Sequence, residues 1–398
     1  MGRVAVAMSG GVDSSTAAAL LAEAGHEVVG LTLRLWDYGA ENRASGRGRC
    51  CSPADIADAR AVSDRLGVPH YVFDHAAGFR NHVVDPFVQG YGEGTTPSPC
   101  IRCNRLVKFD LLARLARGLG ADWLATGHYA RLGDPGLGAF GPGARDRGAP
   151  GCDDPGLDGP RPDGSRHFTS GHAASTVGRP QLRKARDADK DQSYFLFDVP
   201  AERFAGVMFP LGGMAKYEVR RAARRLDVGV ADKPESYELC FIPDGDKDLF
   251  VEKRLPDGAP TGGPIRHLDG RLLGYHGGLH RFTVGQRRGL GISQQEPLFV
   301  IELDAATNTV VVGPDGALDA DHLLARLCNW VSIEPPREPL RAAARIRHRH
   351  REVGALITPL GEHRVRVDFD RPQRAVTPGQ GVAFYDGDLL LGGGWIER

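Results

Sequence analysis

The chain has 398 residues, with 50 Lys and Arg against 50 Asp and Glu and a formal net charge of zero. A neutral chain has no global field to draw in nucleic acid, so any RNA surface must be a local patch. At roughly 100–200 residues per domain, two or three domains are expected. No run approaches the ~18–20 apolar residues of a membrane span, and polar turn residues interrupt the first apolar stretch, so a cytoplasmic protein without a signal segment is expected. The 7 cysteines form no disulfide framework in a chain of this length; catalytic, metal-binding or buried thiols are expected.

The first part alternates strand and helix. Val4–Ala7 predicts a strand, and Met8 to Ser15 (M-S-G-G-V-D-S-S) a glycine turn opening a helix that runs to Ala24. Val28–Leu33 reads as the next strand. Ser52-Pro53 gives an N-cap and a proline at the first helical position, and Gly67 a stop after Leu66. Tyr71-Val72-Phe73, a helix from Leu106 to Leu119 and a strand at Trp123–Ala125 follow. This pattern predicts a doubly wound α/β domain with a parallel sheet, whose ligand lies at the carboxyl ends of the strands.

The glycine turn occupies that end. Gly10 and Gly11 let backbone N–H groups approach a phosphate, and the helix that follows adds its N-terminal dipole. The lysine of a Walker A loop is missing. The turn resembles the S-G-G-x-D-S signature of the PP-loop ATP pyrophosphatases, which split ATP between the α and β phosphates and adenylate a substrate oxygen.

Beyond Leu132 apolar periodicity vanishes and Gly, Pro, Asp and Arg dominate; a disordered insertion is expected over 132–180, with Cys152 inert inside it. Tyr217–Leu226 predicts a short basic helix. Glycine-separated apolar stretches from 262 to 292 suggest a small β-rich unit, and the regularly spaced strands from Leu298, beginning with Phe299–Leu303 and Thr309–Val312, a C-terminal β-barrel. Domain limits of 1–208, 209–295 and 296–398 follow from this reading. Arg345, Arg347, Arg349 and Arg351 alternate with Ile346, His348 and His350; as a strand they would line one face over ~20 Å, at ~3.3 Å per residue, and suit a phosphate backbone.

Two cysteine segments carry chemistry. Pro97-Ser98-Pro99-Cys100-Ile101-Arg102-Cys103-Asn104 stands just before the predicted helix, and a thiol at a helix N-terminus is more nucleophilic near neutral pH. C-x-x-C is also half of a zinc site, but no second pair completes it. Cys240, in Leu239-Cys240-Phe241-Ile242-Pro243, gains interest from pairing with Cys103. Cys50-Cys51 reads as accessory.

The chain resembles the bacterial tRNA-specific 2-thiouridylases, the MnmA family. S-G-G-V-D-S-S at Ser9–Ser15, T-G-H-Y-A at Thr126–Ala130, K-D-Q-S-Y-F-L at Lys190–Leu196, C-F-I-P at Cys240–Pro243, G-Q-R-R-G-L-G-I at Gly285–Ile292 and T-P-G-Q-G-V-A-F-Y at Thr377–Tyr385 stand in family order. The likeness covers nearly the whole chain except the insertion. It implies ATP held by Ala7, Met8, Ser9, Gly10, Gly11, Val12, Asp13 and Ser14 and bordered by Leu33 and Gly127, with Mg²⁺ on the phosphates. It implies Cys103 as nucleophile and Cys240 as persulfide carrier, with a disulfide between them as one resting state. It places Ser98, Pro99 and Cys100 on the target base and His128, Lys190, Asp191, Gln192, Arg347, His348 and Gln380 against tRNA. The partners implied are the tRNA anticodon loop with its wobble uridine and, as sulfur donor, a cysteine desulfurase or relay protein.

Three departures stand out: Cys100 where many relatives have Asp, Asp189 where Asn is usual, and the insertion. The first leaves open a [4Fe-4S] cluster on Cys100, Cys103 and Cys240. The glycine turn alone also fits another PP-loop ligase or amidotransferase, or an RNA-binding protein with a relict ATP loop. No glutaminase-like region is evident, and both of those readings leave the cysteine pair unused.

Overall fold

The computed structural model describes residues 2–36, 52–133, 178–234, 239–242, 245–256, 262–293 and 295–397. Cys50, Cys51 and Cys152 lie outside these residues, as does the expected insertion apart from its ends. Among the described residues no helix is long and apolar enough to cross a membrane.

The strands of the first unit are β1 (Arg3–Ala7), β2 (Glu27–Arg34), β3 (His70–Asp74), β4 (Trp123–Thr126), the hairpin β5 (Ala130–Gly133) with β6 (Gln181–Lys184), and β7 (Val207–Met208). The main sheet has the order β3-β2-β1-β4-β7, and each neighbouring pair is parallel. Val4, Ala5 and Val6 are buried on both faces, as a central parallel strand requires. Helix α1 (Val12–Glu23) follows β1, and helix α2 (Pro53–Leu66) precedes β3. The α2 termini match their sequence signals: Ser52 and Asp55 form a capping box, and Gly67 closes the helix at φ 66°.

The helix predicted from Leu106 starts earlier. Pro99–Arg102 is α-helical, Cys103–Leu111 continues in wide π-type turns and Leu112–Gly118 returns to α. Ser98 and Pro99 supply the N-cap and first-turn proline, so Cys103 stands a turn inside the helix rather than ahead of it.

Helix α3 (Lys216–Arg225) packs on α1, and Ala223, Val228 and Ala231 join Val4, Val6 and Ala18 in one core. The limit expected at 208 therefore moves beyond this helix. The second unit is a four-stranded sheet of β8 (Gly263–His267), β9 (Leu272–His276), β10 (Phe299–Asp304) and β11 (Thr309–Gly313), ordered β10-β11-β8-β9. The sequence assigned β10 and β11 to the C-terminal barrel; the parallel pairing of β11 with β8 and a shared core of Ile265, Leu279, Phe282, Val300 and Val310 put them here.

The third unit holds β12 (Asp319–Trp330), β13 (Leu340–Arg345), β14 (Val353–Pro359), β15 (Arg364–Arg374), β16 (Gly381–Asp386) and β17 (Leu389–Ile396). They run β12-β15-β14-β13-β16-β17, and β12 pairs with β17 to close a six-stranded barrel. Closure leaves no open edge within the ring. β17 also pairs with β6, which ties the barrel to the first unit.

The arginine stripe does not form. β13 ends at Arg345, and residues 346–350 turn away. Arg345 reaches Asp191 at 3.0 Å and Glu352 at 2.6 Å, so a long-range ion-pair network, not strand alternation, decides its direction.

Candidate active site

The loop between β1 and α1 lies at the switch point of the sheet, where β2 and β4 flank β1 on opposite sides. Gly10 takes φ +70°, and a Cβ there would stand 2.1 Å from the Asp55 carbonyl oxygen, so only glycine fits against the start of α2. Gly127, just past β4, is also tightly packed: a Cβ would meet the Ser14 backbone nitrogen at 2.8 Å. The two glycines leave a cradle of main chain. Ser9 N–H donates to Ser14 Oγ at 3.1 Å, and Thr32 Oγ1 donates to the Met8 carbonyl at 2.7 Å. Val12 and Leu33 are buried beneath the loop and Ala7 is partly buried.

Asp13, in the first turn of α1, is the loop's carboxylate. Lys216 at the start of α3 donates to both of its oxygens (2.7 and 2.8 Å), and the Tyr129 hydroxyl to one of them (2.7 Å). A lysine from a distant helix thus pairs with the loop's carboxylate. Sequence reasoning missed Lys216, Tyr129 and Lys233; only the position of Lys216 at a helix start hinted at any of them.

Both thiols pack in or against one apolar cluster of the first unit. Cys103 is 7% exposed and belongs to the apolar cluster that includes Leu33, Phe79, Phe87, Phe241 and Ile242, with Ala7 and Cys240 packed at its margin. Phe241 lies edge-on to Phe79 and Phe87, at centroid distances of 5.8 and 5.2 Å, which holds the Cys240 segment in place. No disulfide joins Cys103 to Cys240. Cys328 is buried in the barrel away from this cluster, and burial pushes its thiol up to about 12. Cys100 faces outward. Among the described residues no three His, Cys, Asp or Glu side chains converge to hold a metal ion, so Cys100, Cys103 and Cys240 as placed do not fit an iron–sulfur cluster.

The remaining expected residues fall into two groups. Ser98, Pro99 and Cys100 begin the helix, and the Gln380 amide donates to the Thr96 carbonyl just upstream at 2.7 Å. Lys190, Asp191, Gln192, Arg347 and His348 gather where the first unit meets the barrel. Gln192 accepts from Tyr129 N–H at 2.9 Å, and His348 contacts the Asp191 carbonyl at 2.9 Å and lies over Phe195. Arg347 donates to the Arg374 carbonyl at 3.2 Å.

Two of the expected RNA contacts turn into protein instead. Asp191 is 4% exposed, and its carboxylate accepts from Ala185 N–H, Ser193 and Arg345. His128 is 8% exposed, with Thr126 Oγ1 at 2.8 Å on one ring nitrogen and Asn104 Oδ1 at 3.2 Å on the other. Asn104 donates in turn to the Phe195 carbonyl at 3.0 Å, so His128 links β4, the Cys103 helix and the segment after Lys190. Both side chains are buried and hydrogen-bonded within the protein in this structure.

A parallel α/β domain with a glycine loop at its switch point, followed by a four-stranded sheet and a closed β-barrel, is the architecture of the PP-loop class. The family model described as "tRNA methyl transferase HUP domain" matches residues 2–139 and 161–244, its PRC-barrel companion 248–314, and an "Aminomethyltransferase beta-barrel domain" 320–396. The chain is 44% identical to the tRNA-specific 2-thiouridylase MnmA of Geotalea uraniireducens, over 100% of this chain and 95% of that one. It is 45% identical to the same enzyme of Magnetococcus marinus (99% and 98%) and 46% identical to that of Geobacter metallireducens (99% and 96%). Among solved structures, an NMN synthetase from Francisella tularensis matches at 14% identity and TM-score 0.30, over 58% of this chain and 65% of that one, too weak a likeness to carry an argument. The chain belongs to the tRNA-specific 2-thiouridylase family.

Proposed function

We propose that this protein is an ATP-dependent tRNA 2-thiouridylase acting on the wobble uridine of the anticodon loop. The observation that supports the reading is that Cys103 and Leu33 share one apolar cluster, with Ala7 and Cys240 packed against it. A hydroxide-like oxygen leaves C2 of uridine poorly. Attack of that oxygen on the α-phosphate of ATP expels pyrophosphate and makes AMP the leaving group. The backbone N–H groups of the loop hold the phosphates. Asp13 would offer a carboxylate to a Mg²⁺ carried on the phosphates, and Lys216, which pairs with it here, would be within reach to neutralise phosphate charge.

Sulfur arrives as a persulfide on Cys240, loaded by a cysteine desulfurase or relay protein. Its terminal sulfur attacks C2 and AMP departs. The Cys103 thiolate then attacks the Cys240 sulfur, forming the Cys103–Cys240 disulfide and leaving the electron pair on the new thiocarbonyl. A two-electron reduction by external thiol restores both cysteines. The target base must leave its stack to reach the thiols, which favours a single-stranded loop. Ser98, Pro99 and Cys100 are proposed to receive the base, and Lys190, Gln192, Arg347, His348 and Gln380 to lie along the RNA. An ATP-dependent ligase or amidotransferase reading leaves the thiol pair without a task.

The test is thiolation of anticodon-loop uridine by the purified chain with ATP and a persulfide donor, read by nucleoside mass analysis and pyrophosphate release. Cys103→Ser and Cys240→Ser should each lower 2-thiouridine by roughly 100-fold or more. Cys328→Ala should stay within about twofold, since that thiol lies in another core. Full activity of either of the first two variants removes the mechanism.

A further inference from the structure

Asn104 follows Cys103 in the helix and is 2% exposed. Its surroundings fix which way its amide points. The Phe195 carbonyl, 3.0 Å away, can only accept, so the amide NH₂ faces it and Oδ1 faces the other way. Oδ1 meets His128 Nε2 at 3.2 Å and, as an acceptor, requires a proton there. The second ring nitrogen, Nδ1, lies 2.8 Å from the Thr126 hydroxyl, which can donate to it. Thr126 Oγ1 also accepts from the His128 backbone N–H at 3.4 Å, which leaves its own proton for the ring. The chain therefore runs one way: Thr126 O–H to Nδ1, Nε2–H to Asn104 Oδ1, Asn104 N–H to the Phe195 carbonyl. Burial, with the charge of Lys108 behind it, keeps a second proton off the imidazole.

The helix is shaped around the same ring. Phe109 lies against the imidazole with centroids 5.5 Å apart, and Phe209 stands edge-on to it at 6.0 Å. Asn104 and Phe109 are separated by five positions. On an α-helix, at ~3.6 residues per turn, they would point about 140° apart. Cys103–Leu111 runs instead in π-type turns, whose i→i+5 bonds bring residues at that separation toward one side. Both side chains thus reach one imidazole from the same helix. Wide turns of this kind are rare, and this clasp gives them a physical reason here. Cys103 is the residue at which they begin.

We propose that Asn104 is a positioning residue that locks His128 as the Nε2–H tautomer and, together with Phe109, clasps that ring so that the helix opens into wide turns at Cys103. Its importance for the reaction rests on the role proposed above for Cys103; the tautomer does not. Asn104 ties the helix to β4 through His128 and to the segment after Gln192 through the Phe195 carbonyl. Loss of these bonds frees the start of the wide turns to relax toward α geometry, which rotates Cys103 about the helix axis.

The experiment reads the ring protons directly. The full chain is labelled with ¹⁵N-histidine, two-bond ¹H–¹⁵N spectra are recorded at neutral pH, and the signals missing from His128→Gln are those of His128. The wild-type ring should carry its proton on Nε2 and leave Nδ1 bare. Asn104→Leu removes the acceptor at Nε2, so the proton should move to Nδ1 and donate to Thr126. In this variant kcat for thiolation should fall by roughly tenfold or more, while KM for ATP stays within about threefold. Thr126→Val removes the donor to Nδ1 and should leave the proton on Nε2; with the wild-type spectrum it decides the matter if Asn104→Leu does not fold. A wild-type proton on Nδ1, a proton that leaves Nε2 in Thr126→Val, or an unchanged spectrum or kcat in a folded Asn104→Leu overturns the proposal. Absence of 2-thiouridine from the wild-type chain alongside an Nε2–H ring overturns the thiolation reading and leaves the tautomer assignment standing.

Discussion

His128 shows how a buried polar side chain ties three elements of the first unit together. It is held between Thr126 and Asn104, and burial, seconded by the charge of Lys108, sets its pKa well below 6.5. The imidazole is neutral in the fold, whereas the unfolded chain takes up a proton at about 6.5. Below that pH the unfolded state binds more protons, so stability falls as pH falls. One such histidine costs roughly 1 kcal/mol between pH 7.5 and pH 5.5. Asp198 works with the opposite sign: burial pushes its carboxyl up to about 6 against the pull of Arg105, so the fold takes its proton first and acidification through 6 favours the folded state. His128→Gln should therefore shrink the drop in thermal midpoint between pH 7.5 and pH 5.5, while Asp198→Asn should enlarge it. Melting curves at the two pH values check both; an unchanged drop in His128→Gln would mean that the imidazole takes up its proton in the fold as it does in the unfolded chain.

At the scale of elements, what the sequence made legible was local. Ser52, Pro53 and Gly67 mark the two ends of α2 because capping depends on neighbours three and four residues away. Asn308, in the β10–β11 turn, adopts φ 49°. The elements that were misread depend on distant partners. The wide turns over Cys103–Leu111 carry no local signature, and the helical stretches at Ala76–Phe79 and Asp85–Gly92 were not foreseen. Alternation at Arg345 to Arg351 imitates a strand, yet Asp191 and Glu352 bend it away. The phosphate loop and the two cysteines were legible as motifs; Lys216 and Lys233 were not, because nothing near them in the chain says that they end on Asp13 and Gly10. The capping box of α2 joins local and distant layers, since Asp55 serves both Ser52 and Lys233. Ser52→Ala should cost about 1 kcal/mol of stability. It should also weaken ATP binding, because the α2 start supports Gly10. Urea unfolding and ATP calorimetry measure the two effects, and a stability loss with ATP affinity untouched would show that α2 and the loop are held independently.

At the scale of the molecule, the hairpin of β5 and β6 is the joint between the catalytic unit and the barrel. Its strands pair from Ala130↔Lys184 to Gly133↔Gln181, and Leu389 of β17 pairs with Arg183 across the joint. Asp388 accepts from Arg131 at 2.6 Å and from Arg183 at 2.5 Å, and Lys184 meets Glu352 at 2.6 Å. Arg179 adds a two-pronged bond to Glu334, at 2.6 and 2.9 Å. These contacts use the strands and their immediate flanks. The composition of residues 134–177 suits no packed core. Because Gly133 and Gln181 face each other in register, a few residues suffice to join the strand ends. Replacing residues 134–177 with a short Gly/Ser turn that keeps Arg179 should leave tRNA thiolation within about threefold and the thermal midpoint within a few degrees of wild type. Complete loss of thiolation in a folded, ATP-binding variant would show that the replaced chain holds the RNA. A collapse of the midpoint would instead show that the barrel is held through this chain rather than through the hairpin.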